Sequence, residues 1–118
     1  MKLAEIFKSL SEDTRLRMLA LLLNGELCVC DIESVLQISQ ANASRHLSKM
    51  KITGILTSRK TAQWVYYTIN QDFANEHPEI IESLRAEFRK YPVYKSDMKT
   101  LIKIQKEKKD IKCREAVM

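Results

Sequence analysis

Only two glycines and two prolines interrupt the 118 residues, at Gly25, Gly54, Pro78 and Pro92. These residues are the strongest local breakers of regular structure, so a chain with so few is expected to be mostly helix, jointed at those points. Leu3, Ile6, Phe7 and Leu10 recur at helical spacing, and Leu16, Leu19, Ala20, Leu22 and Leu23 form a broader apolar set after the capping-type Ser11 and Asp13. Two helices follow, the second ending at Asn24-Gly25. A third is expected to begin near Cys30 or Asp31 and to run through Ile32, Val35 and Leu36. Ser39 then offers a hydroxyl cap for a fourth, from Gln40 to about Thr53. Two helices joined by about three residues, the second rich in small and polar side chains, have the pattern of a helix-turn-helix.

After Gly54 the residues become β-branched and aromatic. Ile55-Leu56-Thr57-Ser58-Arg59, a polar turn through Lys60-Thr61-Ala62, and Gln63-Trp64-Val65-Tyr66-Tyr67-Thr68-Ile69 predict a β-hairpin with Arg59 and Lys60 at its tip. Helix returns from about Phe73, with Ile80, Ile81, Leu84 and Phe88 on one face. Pro92 interrupts it before a last segment containing Met98, Leu101, Ile102 and Ile104. The length suits one small domain. The net charge of +5 fits a polyanionic partner but also many ordinary basic proteins. No stretch approaches the roughly 18 apolar residues of a membrane span. Met1-Lys2-Leu3-Ala4-Glu5 lacks the apolar core of a secretory leader, so a cytoplasmic location with no membrane partner is expected.

In the fourth helix Ala43, Leu47 and Met50 define a buried stripe. The opposite face carries Ala41, Ser44, Arg45, Ser48 and Lys49, with Asn42 at its margin and Gln40 at its start. Gln and Asn pair bidentately with adenine, Arg with guanine and Ser with either kind of edge. Gln40, Ser44 and Arg45 are therefore expected at base edges of a double-stranded operator, with Asn42 beside them. Ser39, Lys49 and Lys51 are better placed at phosphates. A polar helix face is as often merely solvated; the hairpin that follows shifts the balance, because Arg59 and Lys60 give it the form of a wing that reaches phosphates or a minor groove. His46 reads as a hydrogen-bonded framework residue, and Trp64, Tyr66 and Tyr67 as wing packing.

Cys28 and Cys30, in Glu26-Leu27-Cys28-Val29-Cys30-Asp31, stand just upstream of this reading head. Three cysteines, an odd number, argue for free thiols over a disulfide framework. Soft thiolates without a nearby histidine select soft or borderline ions. In an intact helix, residues i and i+2 point about 200° apart. Both sulfurs thus meet one ion only if the turn unwinds or the pair begins just before it, and ion binding is expected to deform the start of the third helix. Cys113 reads either as a third ligand or as an idle tail thiol.

Four ordered motifs carry a family resemblance: Leu10-Ser11-Glu12-Asp13-Thr14-Arg15-Leu16-Arg17-Met18-Leu19, Glu26-Leu27-Cys28-Val29-Cys30-Asp31-Ile32, Ile38-Ser39-Gln40-Ala41-Asn42-Ala43-Ser44-Arg45-His46-Leu47 and Trp64-Val65-Tyr66-Tyr67. Over roughly residues 3 to 90 the chain resembles the ArsR/SmtB family of winged-helix metalloregulatory repressors. The resemblance implies a mainly α fold with a small β-hairpin, a winged helix-turn-helix whose helices 1 and 5 form a homodimer interface. It also implies a repressor that leaves its operator when an inducer binds, and no enzyme. On this reading residues 1–92 form the DNA-binding and dimerisation domain, and 93–118 a helical, lysine-rich extension expected to fray.

By resemblance, Cys28 and Cys30 become ligands of trivalent arsenic or antimony acting as inducer, with no organic cofactor. Arsenic repressors carry a third cysteine where this chain has Glu33. Cadmium and lead sensors of the family add cysteines in an N-terminal extension, which makes arsenic or antimony the preferred reading and cadmium or lead the alternative. The family's histidine and carboxylate zinc site is not supported, because His77 stands with Glu76, Glu79 and Glu82 but no second histidine. Competing readings are a thiol redox-sensing repressor, a thiol oxidoreductase and a non-sensing DNA-binding protein. For the redox sensor, a bridge between cysteines this close is expected to be strained, and no strongly basic neighbour is evident. The oxidoreductase lacks the Cys-x-x-Cys spacing.

Overall fold

A computed structural model describes residues 3–117, with side chains described for residues 3–109. Helix α1 (Leu3–Leu10) is followed after a two-residue bend by α2 (Asp13–Leu22). Glu12, rather than the expected Ser11 or Asp13, caps α2, its carboxylate accepting from the Arg15 N–H at 2.8 Å. A two-residue strand β1 (Leu27–Cys28) runs directly into α3 (Val29–Leu36). Gln37 ends α3 in the left-handed region at φ 53°, and Ser39 caps α4 (Gln40–Thr53) by accepting from the Asn42 N–H at 3.1 Å. Gly54 closes α4 at φ 91°, a conformation that glycine reaches without steric cost. The helix-turn-helix is α3 and α4.

Strands β2 (Leu56–Thr61) and β3 (Trp64–Ile69) form the hairpin. Their register runs from Leu56 opposite Ile69 to Thr61 opposite Trp64. Only Ala62 and Gln63 remain for the turn, with Ala62 at φ 54°, the positive φ that tight hairpin turns demand. This corrects the expected tip: Arg59 and Lys60 lie within β2. The strand order is β1-β3-β2, with Leu27 opposite Tyr67 and Cys28 opposite Tyr66. The helix expected from about Phe73 is two helices, α5 (Gln71–Glu76) and α6 (Pro78–Phe88). Pro78 disfavours helical backbone at the residue before it, and His77 sits at φ −130°, ψ 56° while Pro78 opens α6. Helix α7 (Pro92–Val117) completes the chain.

The core collects Ile6, Met18, Leu19, Leu21, Leu22, Ile32, Ile55, Leu56 and Phe73 around the inner stripe of α4, where Ala43, Leu47 and Met50 are each 0% exposed. Helix α7 adds Leu101 to that core. It is also held by a bidentate pair, the Arg17 guanidinium donating to both Asp97 oxygens at 2.8 Å. Arg15 is buried where α1, α2 and α4 meet. Its Nε donates to the Ser9 carbonyl at 2.6 Å, its Nη2 to the Lys8 carbonyl at 3.3 Å, and its Nη1 lies 3.2 Å from His46 Nδ1. His46 is the framework residue the sequence suggested. Among the described residues no helix is long and apolar enough to cross a membrane.

Burial lowers the His46 imidazole below its ordinary value; the Glu12 carboxylate 3.8 Å away opposes this, and Arg15, Arg45 and Lys49 reinforce it. A base whose folded pKa is depressed binds fewer protons folded than unfolded. Its stabilisation is therefore complete above the ordinary imidazole range and is lost as pH falls through it. Chemical denaturation at a series of pH values should show stability dropping below about pH 6.5, and His46→Gln should flatten that part of the curve. Replacing Asp97 by Ala removes both acceptors from Arg17 and should cost about 1.5 to 3 kcal/mol, read as a lower urea midpoint at unchanged slope.

Candidate thiol site and nucleic-acid interface

The thiol pair is built by a change of backbone conformation between its members. Cys28 ends β1 with an extended backbone, φ −68° and ψ 142°, and serves as N-cap of α3, its sulfur accepting from the Cys30 N–H at 3.3 Å. Cys30 is already in the first turn. Because the pair straddles the strand-to-helix junction, the sulfurs face each other and are joined as a disulfide, with 5.3 Å between Cα atoms. Of the two arrangements that helix geometry allows, an unwound turn or a pair that begins just before the helix, the second is the one present. The opposing 200° of helix geometry does not apply to a residue that precedes the helix. The pairing disfavoured from sequence is also the one present.

One neighbour of the pair comes from far along the chain. Lys108 of α7 places its Nζ 3.5 Å from the Cys30 sulfur and pairs with the buried Asp31 carboxylate. This supplies the basic neighbour that the local sequence lacked. Glu26 accepts from Arg59 Nη2 at 2.6 Å and from Nε at 2.9 Å, and the same guanidinium lies 4.4 Å from the Tyr66 ring centroid. The hydrogen bond from Arg59 lowers the Glu26 carboxyl and raises the arginine. Sequence reasoning missed both residues, Lys108 for want of any local signal. Glu26 had one, since it belongs to the motif that carries the cysteines.

On the opposite side the pair borders a cleft of about 340 Å³. Gln40, Ser44 and Ser48 of α4 form one wall, and Gln63, Trp64, Val65 and Tyr67 the other. The thiols, the reading face and the wing thus share one space.

The residues expected to face DNA are held in different ways. Gln40, Arg45 and Lys49 are exposed on α4, and Ser44 is half-buried beside the cleft. Asn42 is half-buried and its side-chain oxygen accepts from Arg45, so these two act as one polar unit. Ser39 is occupied as the cap of α4. In the wing Lys60 is exposed, whereas Arg59 is held by Glu26, Tyr66 and the Thr61 hydroxyl at 2.7 Å. Cys113, the third suggested sulfur, lies outside the residues whose side chains are described. His77 forms the junction between α5 and α6, its N–H donating to the Phe73 carbonyl at 2.9 Å. Among the described residues no group of three or more His, Cys, Asp or Glu could hold a metal ion. The described donor set at the thiol pair is therefore two sulfurs.

Comparison with known proteins agrees with this architecture. The family model described as "Bacterial regulatory protein, arsR family" matches residues 12–58. The arsenic resistance transcriptional regulators ArsR1 and ArsR2 of Pseudomonas putida are 45% identical over 76 residues and 40% identical over 79. These matches take in 64% and 66% of this chain, and 54% and 69% of those proteins. The cadmium resistance regulatory protein CadC homolog of Staphylococcus aureus is 42% identical over 77 residues, 64% of each chain. The chain therefore spans between half and about two thirds of the length of these relatives, all of them transcriptional regulators rather than enzymes. Among solved structures, the homodimeric winged helix-turn-helix DNA-binding domain Mb0332 of Mycobacterium bovis superposes with a TM-score of 0.61 at 26% identity, covering 75% of this chain and 82% of that one. Mainly helical, with a three-stranded antiparallel sheet that forms the wing, this chain belongs to the ArsR family of bacterial regulatory proteins.

Proposed function

We propose that the chain is a homodimeric repressor that binds double-stranded operator DNA through α4 and the wing and leaves it when a thiophilic ion, trivalent arsenic or antimony, binds Cys28 and Cys30. The observation that carries this reading is the juxtaposition of two sulfurs at the N-terminus of α3, within the helix-turn-helix. One atom can bridge them once they are reduced. Two sulfurs without a histidine suit a soft ion. The relatives divide between arsenic and cadmium resistance regulators, and the paired sulfurs with no further described donor favour arsenic or antimony over cadmium. The Cys113 thiol remains the candidate third sulfur.

Gln40, Ser44 and Arg45 read base edges, with Asn42 aligning Arg45; Lys49 and Lys60 hold phosphates, and Ser39 fixes the start of the reading helix. Dimerisation, which the resemblance assigns to helix 1 and to a fifth helix that is here divided into α5 and α6, sets the spacing of the two heads. Exposed Leu3 and Phe7 of α1, Tyr91 just before α7, and Val93 and Ile102 of α7 add apolar surface to bury. Ion binding shifts the junction of β1 and α3. A coupling of about 1 to 3 kcal/mol lowers operator affinity roughly 5- to 150-fold.

The disulfide between the same cysteines supports a second reading, in which oxidation of the pair is itself the signal. The two readings separate cleanly. In the first, reduced protein releases operator on adding arsenite or antimonite, and Cys28→Ser or Cys30→Ser binds DNA normally but does not release it. Fluorescence anisotropy of labelled operator reads both, and unchanged affinity on adding the ion refutes the reading. In the second, peroxide alone releases DNA and dithiothreitol restores binding.

Glu26 competes with phosphate for Arg59. Glu26→Gln should therefore tighten operator binding about 2- to 5-fold at low salt. The slope of log affinity against log salt should steepen by about one phosphate's worth. In an Arg59→Gln background the gain should vanish.

A further inference from the structure

The cleft beside the thiols poses a question of valence. Trivalent arsenic forms three bonds, and the described donors supply two. The bond that Cys28 and Cys30 leave over is open to a group other than sulfur, and the space the pair adjoins is the cleft of about 340 Å³ between α4 and the wing. Its wing side carries Trp64, which is 46% exposed and lies outside the hydrophobic core cluster. An exposed indole that lines a cleft is available to an aromatic partner. The facing wall is polar and belongs to the reading helix: Gln40, Ser44 and Ser48.

We propose that the cleft receives the third substituent of the arsenical held by Cys28 and Cys30, and that Trp64 makes the site selective for compounds in which this substituent is an aromatic ring bonded through carbon. The inference rests on the thiol-sensor reading above and specifies its ligand class. In the binding step an arylarsonous acid bearing two hydroxyl groups meets two thiols. Two sulfur–arsenic bonds form and two arsenic–oxygen bonds break. Each thiol proton leaves with a hydroxyl as water, and arsenic stays trivalent, so no oxidant or reductant is consumed. The ring then occupies the space bounded by Gln40 and Ser44, the side chains that reach base edges. Release follows from occlusion of the reading face as well as from movement of the junction, and a larger substituent occludes more.

The test uses the full chain, reduced, with phenylarsonous acid and arsenite as probes, each affinity expressed relative to the same compound's affinity for dithiothreitol. Intact mass reports the adduct, operator anisotropy reports release, and emission of Trp64, the one tryptophan of the chain, reports occupancy of the cleft. The expected result is a preference for the phenyl compound of about tenfold, with Trp64 emission perturbed by it and not by arsenite. Trp64→Ala should abolish the preference and leave the arsenite response unchanged, and Trp64→Phe should retain most of it. Equal relative affinities in the wild type, or a preference that survives Trp64→Ala, overturn the cleft assignment while the sensor reading stands. If neither compound binds, or if binding survives Cys28→Ser combined with Cys30→Ser, the sensor reading falls and the cleft assignment with it.

Discussion

The Arg15 guanidinium is only 9% exposed and sits where α1, α2 and α4 converge, spending its donors on the last carbonyls of α1 and on the His46 ring. Carbonyls at a helix end lack partners within their own helix, and a cation there satisfies them while favouring the negative end of the dipole. The same side chain thereby fixes the tilt of α4, because His46 projects from the middle of that helix. A neutral imidazole can accept from Arg15, whereas an imidazolium can only donate and repels it. Burial is the main cause of the lowered His46 pKa, and the contact with Arg15 that positions α4 adds to it. The Glu12 carboxylate, which caps α2 and lies against the same imidazole, closes the arrangement.

Much of the fold was legible because the helices carry their own ends. Ser39 and Gly54 bracket α4 as the residue types predict, and the Ala43, Leu47 and Met50 stripe is fully buried. The misplacements have local physical causes. A two-residue strand has no periodicity to read, so β1 was invisible until its partner Tyr66-Tyr67 was in place. The hairpin turn was set two residues early because Thr61 and Ala62 look equally turn-like; pairing of Thr61 with Trp64 decides it. The break between α5 and α6 was available in the sequence, since the residue before a proline resists helical backbone.

The candidate site was legible in its members and not in its geometry. The Cys-Val-Cys spacing identified the pair, but 3.6 residues per turn left two arrangements open, an unwound turn or a pair beginning just before the helix. Cys28 ends a strand, and that one residue decides for the second. Arg59 read as a free cation because sequence distance hid Glu26, which faces it across the sheet. Lys108 comes from a helix whose lysines all look alike in composition. Only the packing of α7 against α3, anchored near its start by Arg17 and Asp97, selects which of them reaches Cys30.

Strand order ties the chemistry of the thiols to the mechanics of the wing. The central strand β3 is hydrogen-bonded to the thiol-bearing β1 on one side and to the wing strand β2 on the other, so Cys28, Tyr66 and Arg59 stand on one rung of the sheet. A rung transmits force in both directions, and linkage makes the effect reciprocal: whatever a ligand on the sulfurs does to the grip on DNA, the grip on DNA does to the sulfurs. On the proposed reading, a copy seated on its operator would present a different thiol pair from one that is free, and the regulator's own abundance would set how sharply the gene responds.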